Sequence, residues 1–165
     1  MAGSGYRTLI WFTPPDEGAF VREWLEGLGR VELRPQGSGS IGERLVQAFA
    51  RHFADGARRV IVVGTDCPGV QRRHVVEAFA ALDGHDVVLG PTQAGRVYLI
   101  GLREPHGALL RDVYWSSAAV LAQLRARALD AHLAPHLLRP LREVATLQDA
   151  RVLGLLRGGS NIDGT

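Results

Sequence analysis

The sequence predicts an α/β fold of three layers, in which a mostly parallel sheet lies between helices on both faces. Segments of strand character alternate with segments whose apolar residues recur at helical spacing along nearly the whole chain. Residues 60–63 form a continuous β-branched run, typical of a strand buried on both faces, and we expect residues 86–89 to be its parallel neighbour. The length of 165 residues suits one domain, placed at residues 6–157 between Gly/Ser-rich ends (1–5 and 158–165) that we expect to be disordered.

Residues that start or stop secondary structure separate these segments. Pro14-Pro15 ends the first strand, Asp16 is expected to cap the first helix, and Ser40 with Glu43 matches a capping box at the start of the second. The predicted strands are residues 6–13, 31–33, 60–63, 86–89, 97–102 and 136–138, and 97–102 is expected to pair as a hairpin with the strand before it. The predicted helices cover residues 16–29, 40–56, 71–82 and 115–129, and a terminal helix begins at Thr146.

The composition excludes several classes of function. Nineteen basic against seventeen acidic residues give a formal charge of +2, an excess too small to indicate nucleic acid as a partner. Every one of these basic residues is Arg, so there is no lysine for a Walker-type phosphate loop or a Schiff base. Cys67 is the single cysteine, which excludes an intrachain disulfide. With no visible signal peptide and no apolar run near the roughly 18 residues of a membrane span, we expect a cytoplasmic protein.

The segment that follows residues 60–63 is the first candidate site, because ligands of such sheets lie beyond the carboxyl ends of central strands. Asp66 in this segment would ligate a divalent metal ion that clamps a diphosphate. The alternative is that Asp66 caps the next helix or accepts backbone N–H bonds within its own turn.

A second candidate lies in the loop Gly90-Pro91-Thr92 with Gly95, where glycines would let a ligand approach the backbone. The alternative is a plain turn between two strands. Trp115 with Ser116 would line a pocket, or would be a buried Trp beside a Ser that caps the fourth helix. Cys67 would be either a catalytic thiol or a buried filler.

Several motifs occur in a specific order along the chain: Gly64-Thr65-Asp66-Cys67-Pro68-Gly69, Asp86-Val87-Val88-Leu89-Gly90-Pro91, Tyr98-Leu99-Ile100-Gly101-Leu102 and Trp115-Ser116. Together they resemble the bacterial radical-SAM/selenodomain-associated transferase type 1 family, a glycosyltransferase-like group with the GT-A fold of nucleotide-diphospho-sugar transferases. The resemblance covers about residues 6–156.

The resemblance implies a site for a nucleotide or nucleotide sugar and for Mg²⁺ or Mn²⁺. Asp66 and Glu143 would bind the metal, and Thr65 and Arg96 would bind the nucleotide or its phosphates. The residues implied to line the pocket are Cys67, Pro68, Gly90, Pro91, Thr92, Gly95, Tyr98, Trp115 and Ser116.

The chain also departs from that family. Its members normally begin with another strand and a basic, glycine-containing loop for the nucleotide, which implies a truncated GT-A fold here. Three acidic motifs are changed: Gly39-Ser40-Ile41-Gly42 lacks an Asp, Ala94-Gly95-Arg96-Val97-Tyr98 lacks an Asp and a Gly, and Glu143-Val144-Ala145-Thr146 lacks the second acid. Asp66 is then the main remaining ligand, so the metal is expected to bind weakly.

These departures lead us to expect a glycosyltransferase-like protein that is degenerate in its metal and nucleotide site and acts as a binding or scaffold protein. In that case Arg96 should contact Asp66 or Glu143. The alternative is an active metal-dependent transferase that uses a nucleotide-activated sugar, with Arg96 on the phosphates, or a nucleotidyltransferase. The lost first unit would expose a sheet edge and favour a homodimer.

Overall fold

A computed structural model describes residues 5–27 and 31–155 of the chain. The strands are β1 (Leu9–Phe12), β2 (Glu32–Pro35), β3 (Val60–Val63), β4 (Val87–Pro91), β5 (Val97–Leu102) and β6 (Pro135–Leu137). The helices are α1 (Gly18–Trp24), α2 (Ile41–Ala54), α3 (Arg72–Ala81), α4 (Val120–Asp130) and α5 (Leu147–Val152), and a 3-10 turn covers Gly107–Leu109. Every predicted element is therefore present, with ends shifted by a few residues.

Two predicted helix starts are wrong. The cap of α1 is Glu17 and not Asp16, and its side chain makes no capping hydrogen bond. α4 begins only at Val120, because residues 115–119 form turns in which the Ser117 hydroxyl accepts the N–H of Ala119 at 3.2 Å. The predicted helix end at Gly29 lies outside the described residues, as do the predicted disordered ends except Gly5.

The strands form two sheets. β1 and β2 pair in parallel, and the larger sheet has the order β3-β5-β4-β6. β5 is antiparallel to both of its neighbours, so β3, β4 and β6 all run in the same direction. The predicted hairpin of β4 and β5 is confirmed.

The prediction that β3 and β4 are neighbours is wrong, because β5 lies between them. The loop from β4 to β5, residues 92–96, is too short for a crossover and forces β5 back against β4. β3 is left at the edge of this sheet among the described strands, and Val63 at its end is 37% exposed. An apolar run thus predicted the strand but not its position in the sheet.

Helices cover both faces of the larger sheet, which confirms the predicted α/β architecture. Successive residues of β4 point to opposite faces: Val87 and Leu89 pack in one cluster and Val88 in the other. The first cluster includes residues of α2, the 3-10 turn and α4, namely Phe49, Leu109, Val120, Leu124 and Ala128. The second includes Ala78 and Leu82 from α3 and its end.

The smaller sheet contacts helices of both layers. Trp11 of β1 packs edge-on against His52 of α2, with ring centroids 5.6 Å apart. Tyr6, just before β1, stacks on Phe79 of α3 at 5.4 Å. No helix within residues 5–27 and 31–155 is long and apolar enough to cross a membrane.

Candidate functional site

The turn after β3 carries Asp66 and is tied to two other parts of the chain. The N–H of Gly64 donates to the carbonyl of Tyr98 in β5 at 2.9 Å. The N–H of Val144 donates to the carbonyl of Asp66 at 2.7 Å. These bonds join the carboxyl end of β3 to the start of β5 and to the segment at residues 143–144. The side chains of Thr65, Asp66 and Pro68 are exposed on this turn.

An ion pair between Arg96 and Glu143 is the main polar feature of this region. Nε of Arg96 donates to Oε2 of Glu143 at 3.1 Å, and a second guanidinium nitrogen donates to Oε1. The Glu143 side chain is only 6% exposed, whereas that of Arg96 is 31% exposed. The hydrogen bonds from Arg96 hold the pKa of Glu143 below its usual range, against the opposing effect of burial. Arg96 therefore contacts Glu143, one of the two carboxylates named as its partner if the site is degenerate, and makes no ion pair with Asp66 among the described residues.

Thr92 joins this pair from the end of β4. Its hydroxyl accepts the N–H of Arg96 at 3.1 Å, and its hydrogen bond to Glu143 further lowers the pKa of that carboxyl. Thr92 is buried, and its hydroxyl contacts both partners of the ion pair. The sequence had suggested Thr92 only as a pocket-lining residue.

The donor set does not fit a divalent cation shared by Asp66 and Glu143. Both oxygens of Glu143 accept hydrogen bonds from Arg96, whose positive charge lies at the same place. Among the described residues, no group of three or more His, Cys, Asp or Glu side chains is arranged to hold a metal ion. Asp66 alone is a single hard ligand, and Mg²⁺ or Mn²⁺ would keep most of its water.

Cys67 lies beside these charges but is buried. Burial, together with the carboxylates of Asp66 and Glu143, raises the pKa of its thiol to about 12. The thiol is therefore protonated at neutral pH, and a protonated thiol is a poor nucleophile. The interpretation of Cys67 as a filler of the core is the one that its surroundings support.

Gly90, Pro91 and Tyr98, which were expected to line a pocket, are buried. A Cβ on Gly90 would lie 2.5 Å from Cζ of Tyr98, so glycine is required for the ring to pack across the strand. The Tyr98 hydroxyl donates to the carbonyl of Arg139 at 3.3 Å, and burial raises the pKa of this hydroxyl to about 12. The Tyr98 side chain is thus engaged in core packing and in a hydrogen bond to the backbone.

The remaining predicted residues meet at the start of α4. Gly95 has a φ of +81°, and any Cβ there would clash with the carbonyl of Ala118. Trp115 packs on α2, where a Cβ on Gly42 would lie 2.9 Å from the indole nitrogen. Ser116 is exposed. Together with the carbonyl oxygen of Leu110, which would clash with a Cβ on Gly42, the contact with Trp115 explains the glycine two residues after the cap of α2, which sequence reasoning had missed.

Comparisons with known proteins agree with this fold. A solved structure from Desulfovibrio desulfuricans G20, described as a "putative nucleotide-diphospho-sugar transferase", is 27% identical to the chain and superimposes with a TM-score of 0.80. The match covers 89% of this chain and 64% of that one, so the chain spans less than two thirds of its length. No curated protein matches the chain.

Residues 2–117 match a family model, DUF2064. This match and the structural similarity support a GT-A-like relationship, which is broader than the radical-SAM-associated family that the motifs resemble. The chain belongs to the DUF2064 family, described as "Uncharacterized protein conserved in bacteria".

Proposed function

We propose that this protein is of the nucleotide-diphospho-sugar transferase type, has lost metal-dependent transfer, and acts as a binding or scaffold protein. The observation that carries the proposal is the two-point ion pair between Arg96 and the buried Glu143. In this pair Arg96 binds the carboxylate of Glu143, which the family resemblance would assign to the metal.

The physical reason lies in the charge of a diphosphate. Transfer from an activated sugar requires that the developing negative charge on the leaving group be neutralised, and a cation held by more than one carboxylate commonly does this. In this chain the second carboxylate is neutralised by Arg96. An ion held by Asp66 alone would bind in the millimolar range or more weakly, because affinity for hard cations rises with the number of charged ligands.

One observation favours a second candidate, an active transferase or nucleotidyltransferase. The carboxylate of Asp66 is exposed and makes no hydrogen bond or ion pair within the described part of the chain. Arg96, being partly exposed, could exchange Glu143 for a phosphate, since a guanidinium binds both groups in the same forked geometry. In this alternative Asp66 holds a metal and Arg96 assists the phosphates.

Thermal shift and calorimetry with nucleoside diphosphates and nucleotide sugars, each with and without Mn²⁺, separate the two functions. The proposal expects no nucleotide effect that depends on Mn²⁺ and no difference between wild type and Asp66→Asn. A shift without metal that disappears in Arg96→Ala identifies a nucleotide-binding role, and no shift at all identifies a scaffold. Mn²⁺-dependent binding with release of nucleoside diphosphate, both lost in Asp66→Asn, would overturn the proposal.

A homodimer and a cytoplasmic location are part of this proposal. Among the described strands, β3 pairs on one side only, and an unpaired strand edge favours association with a second chain. Light scattering coupled to size-exclusion chromatography would show a mass of twice 17.9 kDa if this is correct.

A further inference from the structure

Two histidines from different elements lie side by side at the end of the larger sheet opposite to Asp66. His85 lies between α3 and β4, and His136 is the central residue of β6. Their ring centroids are 4.9 Å apart and the rings are inclined by 38°. Asp66 follows the carboxyl end of β3, whereas His85 precedes the start of β4, so this pair is separate from the site described above.

The backbone on both sides of the pair is held in place. The N–H of His85 donates to the carbonyl of Ala81 at the end of α3, at 3.0 Å. His136 lies opposite Val88 in the parallel pairing of β4 and β6. The carboxylate of Asp86 accepts the N–H of Ala134, just before β6, at 3.1 Å. The backbone positions from which the two rings project are therefore fixed by hydrogen bonds, as a binding site requires of the residues that carry its ligands.

The separation of the rings fits the chelation of one metal ion. A metal bound to imidazole lies about 2.0–2.1 Å from the nitrogen, which places it about 3.2 Å from the ring centroid. Two imidazoles that bind one ion at an angle of about 90–110° then have centroids about 4.5–5.2 Å apart. The observed 4.9 Å falls inside this range.

Nδ1 of His85 supplies a second, independent observation. This atom is buried and has no hydrogen-bond partner within residues 5–27 and 31–155. Buried polar atoms are rarely left without a partner, and a bound ion or water is one of the ways in which they are satisfied. A lone pair on this nitrogen can bind a metal without breaking a hydrogen bond of the protein.

From these observations we propose that His85 and His136 bind one divalent transition-metal ion of the kind that prefers imidazole, such as Zn²⁺, Cu²⁺ or Ni²⁺. The described residues add no third side-chain ligand, so water completes the coordination. The ion links the turn after α3 to β6, which has only three residues and ends the sheet. Its effect is to fasten this edge strand, independently of any nucleotide.

Calorimetry and thermal unfolding of the untagged protein with Zn²⁺, Cu²⁺ or Ni²⁺ test the site. We expect one ion per chain, and a rise in Tm on the order of 5–10 °C at a concentration 100-fold above Kd. Both effects should disappear in His85→Gln and in His136→Gln. His132→Asn is the matched control: it removes a nearby exposed histidine at φ +56°, a backbone region that Asn tolerates, and should retain binding.

Equal binding by the wild type and both Gln variants would overturn the proposal, as would the absence of binding by the wild type. If a variant does not fold, NMR of the wild type alone still tests the site. Substoichiometric Cu²⁺ should broaden the backbone NMR signals of residues 85 and 136 before all others. Broadening centred on any other histidine would equally refute the assignment.

Discussion

Removal of Arg96 is expected to destabilise the fold more than neutralisation of its partner, Glu143. In Arg96→Met the carboxylate of Glu143 stays buried and keeps only the hydroxyl of Thr92. Removing one partner of a fully buried pair costs about 3–5 kcal/mol, and the 31% exposure of Arg96 lowers our expectation to about 2–3 kcal/mol. In Glu143→Gln the charge left behind is the guanidinium, which water can reach, so the expected cost is about 1 kcal/mol.

The loss of stability in Arg96→Met relative to the wild type should become smaller as pH falls. Arg96 lowers the pKa of Glu143 in the folded protein, so the pair contributes stability above the unfolded pKa of about 4.3, and this is lost as pH falls through the lowered folded value. In Arg96→Met the buried carboxyl takes up a proton more readily. The gap between wild type and variant should therefore be widest near pH 7 and should narrow as pH falls toward about 4.5.

Urea unfolding followed by circular dichroism at pH 7 and at about pH 4.5 measures the free energy of unfolding of the wild type and of each variant. Arg59→Met is the matched control, because the ion pair of Arg59 with Asp83 is exposed and should contribute less than about 1 kcal/mol. The reasoning is refuted if Glu143→Gln costs as much as Arg96→Met at pH 7. It is also refuted if the loss in Arg96→Met is the same at both pH values.

Three further outcomes are expected. In urea unfolding, Gly95→Ala should cost more than the roughly 1–2 kcal/mol of a left-handed backbone, because the new Cβ would clash with the carbonyl of Ala118. Gly56→Ala is the control: Gly56 has φ +87° and open space around it, so this variant should show the backbone cost alone. A rise in the pKa of Cys67 from 9.0 to about 12 lowers the thiolate fraction roughly 1000-fold, so a disulfide reagent at pH 8 should label this residue only as the protein unfolds; rapid labelling of the native protein would contradict the burial. Ser40→Ala removes the cap of α2 and should lower the free energy of unfolding by about 1 kcal/mol, and an unchanged denaturation midpoint would show that the capping box contributes nothing.

The sequence by itself determined the order and type of the elements, because these depend on neighbours a few residues away. The capping box of Ser40 and Glu43 is present as predicted, with the Glu43 carboxylate accepting the N–H of Ser40 at 2.7 Å. Thr146 likewise begins the terminal helix, and β3 and β5 have the predicted bounds. Each of these features is an interaction within one turn or one short run, so a single sequence is enough to identify it.

The tertiary structure alone decided the order of the strands and the state of the candidate site. The predicted hairpin places β5 on one side of β4, and β6 takes the other side, which the sequence had assigned to β3. Arg96 and Glu143 are 47 positions apart, and the sequence left Asp66 and Glu143 equally open as partners of Arg96. Only the packing of residues 143–144 against the turn after β3 brings that carboxylate to the guanidinium. Contacts of this kind depend on the whole fold, and the local pattern around either residue carries no trace of them.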